Sequence, residues 1–290
     1  MRTHNFDGCA FFYTFIFYYN IKMIVLYWPF EQTSNQFIQH ISIDAFCREN
    51  RISYCNPFFY KYKQDYPYLK LLKENWLTRH ALFFTHLKKI GLAQIINFDD
   101  DNANVKDRIY DPNFYRNKLI YCWGWNFRVS DLVAKYRDDY KKQFYPNNEN
   151  LIICNSILNT KIKGQVLLGI HIRRGDYLTF ADGKYYYDDA TYIRYIEQMQ
   201  NLIGKDCKII IFSNDENLNS NLYFEKFKDI YISKHSVAVD HYLMSQCDFL
   251  LGPPSTFTAW ASFIGTAKCC HIEDKEQELT LEMFRNFDRL

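Results

Sequence analysis

The stretch that most constrains the fold is Gln165 to Tyr177, Q-V-L-L-G-I-H-I-R-R-G-D-Y. Val166 to Ile172 is apolar, rich in β-branched residues and broken only by one glycine and one histidine, the pattern of a strand buried on both faces. It runs directly into two arginines, a glycine and an aspartate. A strand that needs cover on both faces and ends in charge suits an open α/β sheet, whose ligands sit in the crevice beyond the carboxyl ends of its strands. Arginine's planar fork binds phosphate oxygens in pairs, so Arg173 or Arg174 at that tip is a candidate anion clamp, and Gly175 lets backbone approach a phosphate. The alternative is a solvated turn after an edge strand. The strand in front, with His171 and Asp176 alongside, favours the functional reading.

At 290 residues the chain has room for two α/β domains of ordinary size. Its formal net charge of +2 gives no long-range field that would draw nucleic acid or an anionic membrane, so any anion site has to be local. The nine cysteines are odd in number and lack a C-x-x-C pair, and Cys269 and Cys270 are adjacent. That argues against a disulfide framework or a zinc site and for reduced thiols in the cytoplasm.

Cys9 to Tyr19 is an aromatic, apolar run, too short for a bilayer-spanning helix of about 20 residues. It lacks the positive flank and cleavage site of a signal peptide. The expectation is a start at Met23, a dispensable extension over 1–22, and membrane contact that is peripheral and not required. Ile24 to Tyr27 reads as the first strand. A polar turn follows, then a helix bearing Phe37, Ile41, Ala45 and Phe46 on one face, with Ser34 or Asn35 as its cap. Further on, Ile52 to Cys55 is expected as a strand, and Tyr68 to Leu72 and Arg79 to Lys89 as helical. Asp99 and Asp101 form a D-x-D, either a metal-binding pair on a nucleotide diphosphate or a solvated turn after Ile95-Ile96. Trp123 and Trp125 flank a glycine, either as core or as a platform for an acceptor sugar. Ser130 is expected to cap a helix carrying Leu132, Val133, Tyr136, Tyr140 and Phe144, ended by Pro146-Asn147-Asn148. That break separates a domain over 23–148 from one over 149–290.

In the second half, Tyr185 to Ile203 reads as a helix, and Lys208 to Phe212 as a strand ending in Ser213-Asn214-Asp215. Asp215 suits either ribose hydroxyls or a helix N-cap. Tyr231-Ile232 is an edge strand, Val239 to Asp248 a helix, and Phe249 to Leu251 a strand. Gly252 to Phe257 then turns into a helix running through Trp260 and Phe263. Ser255 and Thr256 stand where a helix N-terminus favours negative charge, though simple capping uses the same residues. Three strand tips with different polar groups argue for one shared crevice.

Several stretches in order resemble the α-1,2-fucosyltransferase family, related more distantly to α-1,6- and protein O-fucosyltransferases. They are Ser34-Asn35-Gln36-Phe37-Ile38-Gln39, Trp123-Gly124-Trp125, His171 to Tyr177, Phe212 to Asp215, and Met244 to Cys247 through Ser255-Thr256-Phe257 and Trp260. The most specific is H-x-R-R-G-D-Y. Ser34 and Gly252-Pro253-Pro254 depart from the family pattern. The resemblance implies an α/β fold of the GT-B type, two facing Rossmann-like domains with the nucleotide held by the C-terminal one. It implies that Arg173 clamps the diphosphate of GDP-fucose, with Arg174 in the same motif, and that Ser255, Thr256 and Phe257 border the β-phosphate. It also implies that His171 and Asp215 lie near the guanosine, and that Asn35 faces the donor from the other domain.

The activity implied is inverting transfer of L-fucose from GDP-fucose to a glycan hydroxyl, such as the 2-OH of a terminal galactose, with no metal required. Arg173 would offset charge on the departing GDP. Asp176 is the leading candidate to take the acceptor proton, with Glu31 or another N-terminal side chain as alternatives. Two rival functions are a metal-dependent transferase using Asp99 and Asp101, and a nucleotide- or glycan-binding protein without turnover. An Arg-Gly-Asp adhesion role is discounted, because the triplet directly follows a buried strand.

Overall fold

The computed structural model of the protein describes residues 23–30, 32–74, 76–101, 108–115 and 119–290. The run from Cys9 to Tyr19 and Glu31 lie outside them. The chain packs as two units, residues 1–63 with 69–136, and residues 64–68 with 137–290.

The first unit holds a four-stranded, wholly parallel sheet in the order β2-β1-β4-β3. Strand β1 is Met23–Leu26, and its Ile24, Val25 and Leu26 are buried. Helix α1 (Thr33–Glu49) buries Phe37, Ile41, Ala45 and Phe46, the apolar face read from the sequence. Its cap is Gln32, not Ser34 or Asn35, and no side chain closes it. Those two residues therefore belong to the first helical turn. Strands β2 (Ser53–Cys55), β3 (Ala93–Asn97) and β4 (Leu119–Trp123) complete the sheet. Tyr68 to Leu72 is not helical, and only Leu69 of that stretch is buried. The expected helix over Arg79 to Lys89 is a 3-10 segment, Ala81–Ile90, closed by left-handed Gly91.

The helix expected from Ser130 through Phe144 is two helices, α2 (Ser130–Lys135) and α3 (Arg137–Gln143). Between them Tyr136 leaves helical geometry and donates its hydroxyl to Glu49 of α1 at 2.7 Å. Arg137 then joins the second unit. Its guanidinium donates to the carbonyls of Phe263 (2.7 Å), Ser262 (3.3 Å) and Gly265 (3.3 Å). A cation on those last carbonyls satisfies helix-end acceptors that otherwise lack partners. The packing division accordingly falls between Tyr136 and Arg137, ahead of the Pro146-Asn147-Asn148 break. Asn147 is the N-cap of α4 (Asn148–Leu158), accepting the N–H of Asn150 at 2.8 Å, and it also binds the backbone of Gln64 and Asp65. These bonds draw residues 64–68 into the second unit.

The second unit is a five-stranded parallel sheet in the order β7-β6-β5-β8-β9. Its strands are β5 (Val166–Ile172), β6 (Cys207–Ser213), β7 (Ile230–Ile232), β8 (Phe249–Gly252) and β9 (Lys268–His271). The crossover helices are α5 (Asp189–Ile203), α6 (Ser220–Lys226), α7 (Val237–Ser245) and α8 (Thr256–Ile264). Asp188 caps α5 and Ser236 caps α7, which moves both starts from the positions that apolar periodicity suggests. On one face of the sheet lie Tyr192, Tyr195, Ile196 and Met199, and on the other Val239, Leu243, Met244 and Ala261. Strand β5, between both layers, is the buried strand its sequence describes. Strand order reverses between β5 and β8, which makes their carboxyl ends the expected ligand crevice. All eight cysteines among the described residues are buried, unpaired thiols.

Candidate active site

The tip of β5 is tied to its neighbours before any ligand arrives. The Arg174 N–H donates to Asn214 Oδ1 at 2.8 Å, and Asn214 Nδ2 donates back to the Arg174 carbonyl at 3.3 Å, joining β5 to β6. The Arg174 side chain, only 10 % exposed, donates to Asp189 (2.5 Å) at the start of α5 and to Asp215 (3.0 Å) beyond β6. Burial opposes its charge, and the bonds to Asp189 and Asp215 overcome that penalty and hold its pKa above the ordinary value. Its fork is thus committed to two carboxylates. Arg174 thus ties the strand tips together, its guanidinium engaged by Asp189, Asp215 and the Tyr187 carbonyl.

Arg173 is held by one edge. Its Nε donates to Asp176 Oδ1 at 3.1 Å and its Nη2 to Asp176 Oδ2 at 2.7 Å, with Tyr177 beneath at 5.1 Å from guanidinium carbon to ring centre. The Nη1 side has no hydrogen-bond partner among the described residues. Asp176 is half exposed while Arg173 is 14 % exposed, so the carboxylate fixes the direction of a largely buried cation. Tyr177 donates its hydroxyl to the Pro254 carbonyl, fastening this loop to the one after β8. At that loop Gly252 lies so close to β5 that a Cβ there would stand 2.6 Å from the His171 carbonyl oxygen. Side-chain-free backbone at this point lets the two strand ends meet.

The loop then enters α8, where Ser255 accepts the Phe257 N–H at 3.1 Å and caps the helix. Thr256 and Phe257 form its first turn. His171 is buried, stacked on Phe257 at 5.4 Å, and His241 packs on the same ring at 4.2 Å. Burial lowers both imidazoles to a pKa of about 3, with the Arg173 charge adding to the effect on His171. These histidines are neutral at physiological pH. The resemblance implies His171 near the guanosine; in this structure its side chain packs on Phe257 in the first turn of α8.

Beyond β6 and β7, Ser213, Asn214, Asp215, Glu216, Ser233 and Lys234 line a cavity of about 440 Å³. Asp215 reaches it while bound to Arg174 and to the Asn217 N–H (2.9 Å); it does not cap α6, whose cap is Asn219.

The remaining predicted residues lie in the first unit. Asn35, Asp99 and Trp123 line a second cavity, of about 410 Å³. Trp125 is absent from its walls. It is packed edge-on to Phe30 (5.1 Å) and covered by the Arg128 guanidinium (3.7 Å), a structural position rather than a platform. The Asp99 carboxylate accepts the N–H groups of Trp125 (2.7 and 2.9 Å) and Asn126 (2.7 Å) and so staples the loop after β4. No group of three or more His, Cys, Asp or Glu among the described residues is placed to hold a metal ion.

The family model of glycosyl transferase family 11 matches residues 117–281, more than half of the chain. The chain belongs to glycosyl transferase family 11. The family match takes in the whole Arg173 site, and the resemblance read from the H-x-R-R-G-D-Y motif holds at this level. A curated relative, the O-antigen biosynthesis glycosyltransferase WbnK of Escherichia coli, is 30 % identical over 170 residues, covering 53 % of this chain. The chain spans about half the length of that relative, 52 %.

Solved structures agree on the fold. An Arabidopsis thaliana FUT1 variant in complex with GDP matches with a TM-score of 0.56 at 14 % identity, over 88 % of this chain and 72 % of that one. The α-1,6-fucosyltransferase NodZ of Bradyrhizobium, soaked with GDP-fucose, gives 0.53 at 10 % identity over 87 % and 95 %. POFUT1 in complex with GDP-fucose gives 0.57 at 11 % identity over 84 % and 94 %. The α/β fold with two parallel sheets is thus the GT-B-like fold of these enzymes. No helix among the described residues is long and apolar enough to cross a membrane.

Among the residues the sequence reading missed, Asp189 and Tyr187 hold Arg174, and Asp240 holds a cavity wall. Asp240 of α7 accepts the hydroxyl of Ser233, and burial raises its pKa to about 7. Between about pH 4 and 7 the folded state holds a proton there that the unfolded chain has released, so this group's contribution to stability falls as pH rises. Asp240→Asn keeps an acceptor for Ser233 and removes the titration. Its thermal midpoint is expected to drop less than the wild type's between pH 5 and pH 8, and parallel profiles would refute the assignment.

Proposed function

We propose that this family 11 protein transfers L-fucose from GDP-fucose, with inversion, to a hydroxyl of a glycan, the 2-OH of a terminal galactose being the acceptor position. The observation that carries the proposal is the state of Arg173: at the switch point of the second sheet, held along one edge by Asp176, with the rest of its fork available. The donor complexes of the similar fucosyltransferases NodZ and POFUT1 support the choice of sugar nucleotide. The name of the WbnK relative supports a glycan acceptor.

In this reading the diphosphate lies between Arg173 and the first turn of α8, where Ser255, Thr256 and Phe257 present the positive end of the helix. Negative charge grows on GDP as the bond to fucose breaks, and a preoriented guanidinium stabilises that charge without having to reorganise. Asp176 keeps the fork aimed at the departing diphosphate. The nucleoside occupies the cavity walled by Asn214, Asp215, Glu216 and Lys234. With two local sources of positive charge, no divalent ion is needed at the diphosphate. The reaction is placed in the cytoplasm, where GDP-sugar would be supplied.

Incubating the protein with GDP-fucose and lactose, then assigning the product by NMR, tests the reading. An α-linked fucose on O2 of galactose, formed at an unchanged rate in excess EDTA, is the expected result. A β-linkage, or turnover that manganese alone restores, would overturn inversion or metal independence respectively.

Arg173→Lys keeps the charge and loses the planar fork. Its transfer rate is expected to fall by about a hundredfold, the scale seen when one preorganised donor to a developing charge is removed. Turnover within a few-fold of wild type would remove Arg173 from the mechanism.

A further inference from the structure

The helix proposed to meet the diphosphate carries no charged side chain. Helix α8 reads T-F-T-A-W-A-S-F-I, with no acidic residue in its first turn and no basic residue in its last. An anion at its N-terminus would be held by backbone N–H groups, by the hydroxyls of Ser255 and Thr256 and by the positive end of the helix. A lysine can follow a phosphate on its flexible stem. Backbone N–H groups cannot, so the affinity of such a site depends on where the whole helix stands.

With nine residues, α8 is a rod about 13 Å long that passes a displacement at one end to the other. Its first turn rests on His171 and His241 through Phe257. At the far end Gly265 follows in extended backbone, so close to the end of α7 that a Cβ there would stand 2.2 Å from the Ser245 carbonyl oxygen. An extended cap does not supply the bonds with which a left-handed one satisfies the last carbonyls. Arg137 supplies them. Its Nε donates to the Phe263 carbonyl, and its Nη2 donates to the carbonyls of Ser262 and Gly265 and to Asn286 Oδ1.

The grip is built from both sides. Asn286 Nδ2 donates to the carbonyls of Ser262 (3.1 Å) and Ala267 (3.2 Å), while Ser262 Oγ donates to the Ala267 carbonyl (2.6 Å) and accepts the Phe287 N–H (3.0 Å). Phe144, just beyond α3, packs edge-on to the fully buried Trp260 in the middle of α8 at 4.7 Å. The Arg137 guanidinium carbon lies 5.5 Å from the Phe263 ring centre. All four acceptors of this guanidinium are neutral, and burial draws its pKa below the ordinary value. A cation held there at a desolvation cost is spent on the backbone of one helix end.

We propose that Arg137 is a positioning residue for the donor: by holding the C-terminal carbonyls of α8 it sets the first turn where its N–H groups meet the diphosphate. It acts from the end of the helix remote from the ligand. The proposal rests on the donor reading above for the identity of the anion.

The test compares GDP with guanosine, which lacks the phosphates, by calorimetry on the full chain as wild type, Arg137→Met and Arg137→Lys, each well below its thermal midpoint. Arg137→Met keeps an apolar stem against Phe263 and leaves the carbonyls unheld. Its GDP affinity is expected to fall by roughly tenfold, the scale of one charge-assisted hydrogen bond lost from the phosphates, with guanosine affinity within about twofold of wild type. Arg137→Lys keeps the charge but cannot span the same carbonyls, so a loss of a few-fold is expected; it carries the test if the methionine variant does not fold. In transfer assays the donor KM should rise with GDP dissociation while the acceptor KM stays unchanged. Unaltered GDP affinity in both folded variants, or GDP and guanosine affinities that fall together, would reduce Arg137 to a stabilising cap and overturn the proposal. A wild type that binds no GDP would remove the donor reading, and this role with it.

Discussion

The buried guanidinium of Arg174 is the interaction on which the second unit's site depends. One planar group joins the start of α5 through Asp189, the end of β6 through Asp215 and the segment before α5 through the Tyr187 carbonyl. Tyr223 adds a hydroxyl to Asp189 at 2.7 Å. An arginine so deeply placed is tolerated because carboxylates and a carbonyl satisfy it; removing one partner would leave a buried charge uncompensated, a loss far larger than that of a surface pair. With Arg174 fixed, the residues on either side of it are fixed as well. Arg173 then emerges at a defined angle, and Asp176 completes its orientation.

Neighbouring arginines in one motif therefore do opposite work. Arg174 is neutralised from within and holds strand tips together, while Arg173 is steadied from one side and keeps donors for a ligand. The three neutral histidines near the turn into α8, His171 and His241 buried and His271 partly buried, add no charge of their own; His271, lowered to about 4 by burial, meets Thr258 at 3.0 Å. Positive potential at the crevice is thus concentrated on Arg173 and the end of a helix. The first unit contrasts with this: Trp28 and Trp123 are exposed, and Asn35 Oδ1 has no hydrogen-bond partner among the described residues.

Much of this was legible in the sequence because it depends on local pattern. The run Val166 to Ile172 announced a doubly buried strand, the polar triplets after β6 and β8 marked strand tips, and Ser255 read correctly as a helix N-terminus. What stayed hidden depends on partners far along the chain. Nothing local distinguishes Arg173 from Arg174; the distinction comes from Asp189 and Asp215, which lie 15 and 41 residues away. Trp125 looks as free as Trp123 until Phe30 and Arg128 are seen against it. The helix from Ser130 kept its apolar spacing through Tyr136, yet the chain changes units there because Glu49 captures the Tyr136 hydroxyl and the end of α8 captures Arg137. Periodicity reports which face is apolar and not which body it packs against.

The central claim is that Asp176 acts through Arg173, aiming a guanidinium at the diphosphate. A double-mutant cycle on fucose transfer, with Arg173→Lys, Asp176→Asn and the pair, measures that dependence directly. If the carboxylate works by orienting the fork, Asp176→Asn should cost little more once Arg173 is lysine, so the double variant should be nearly as active as Arg173→Lys alone. Losses that multiply, each substitution lowering the rate by the same factor in either background, would show two independent roles and contradict the account.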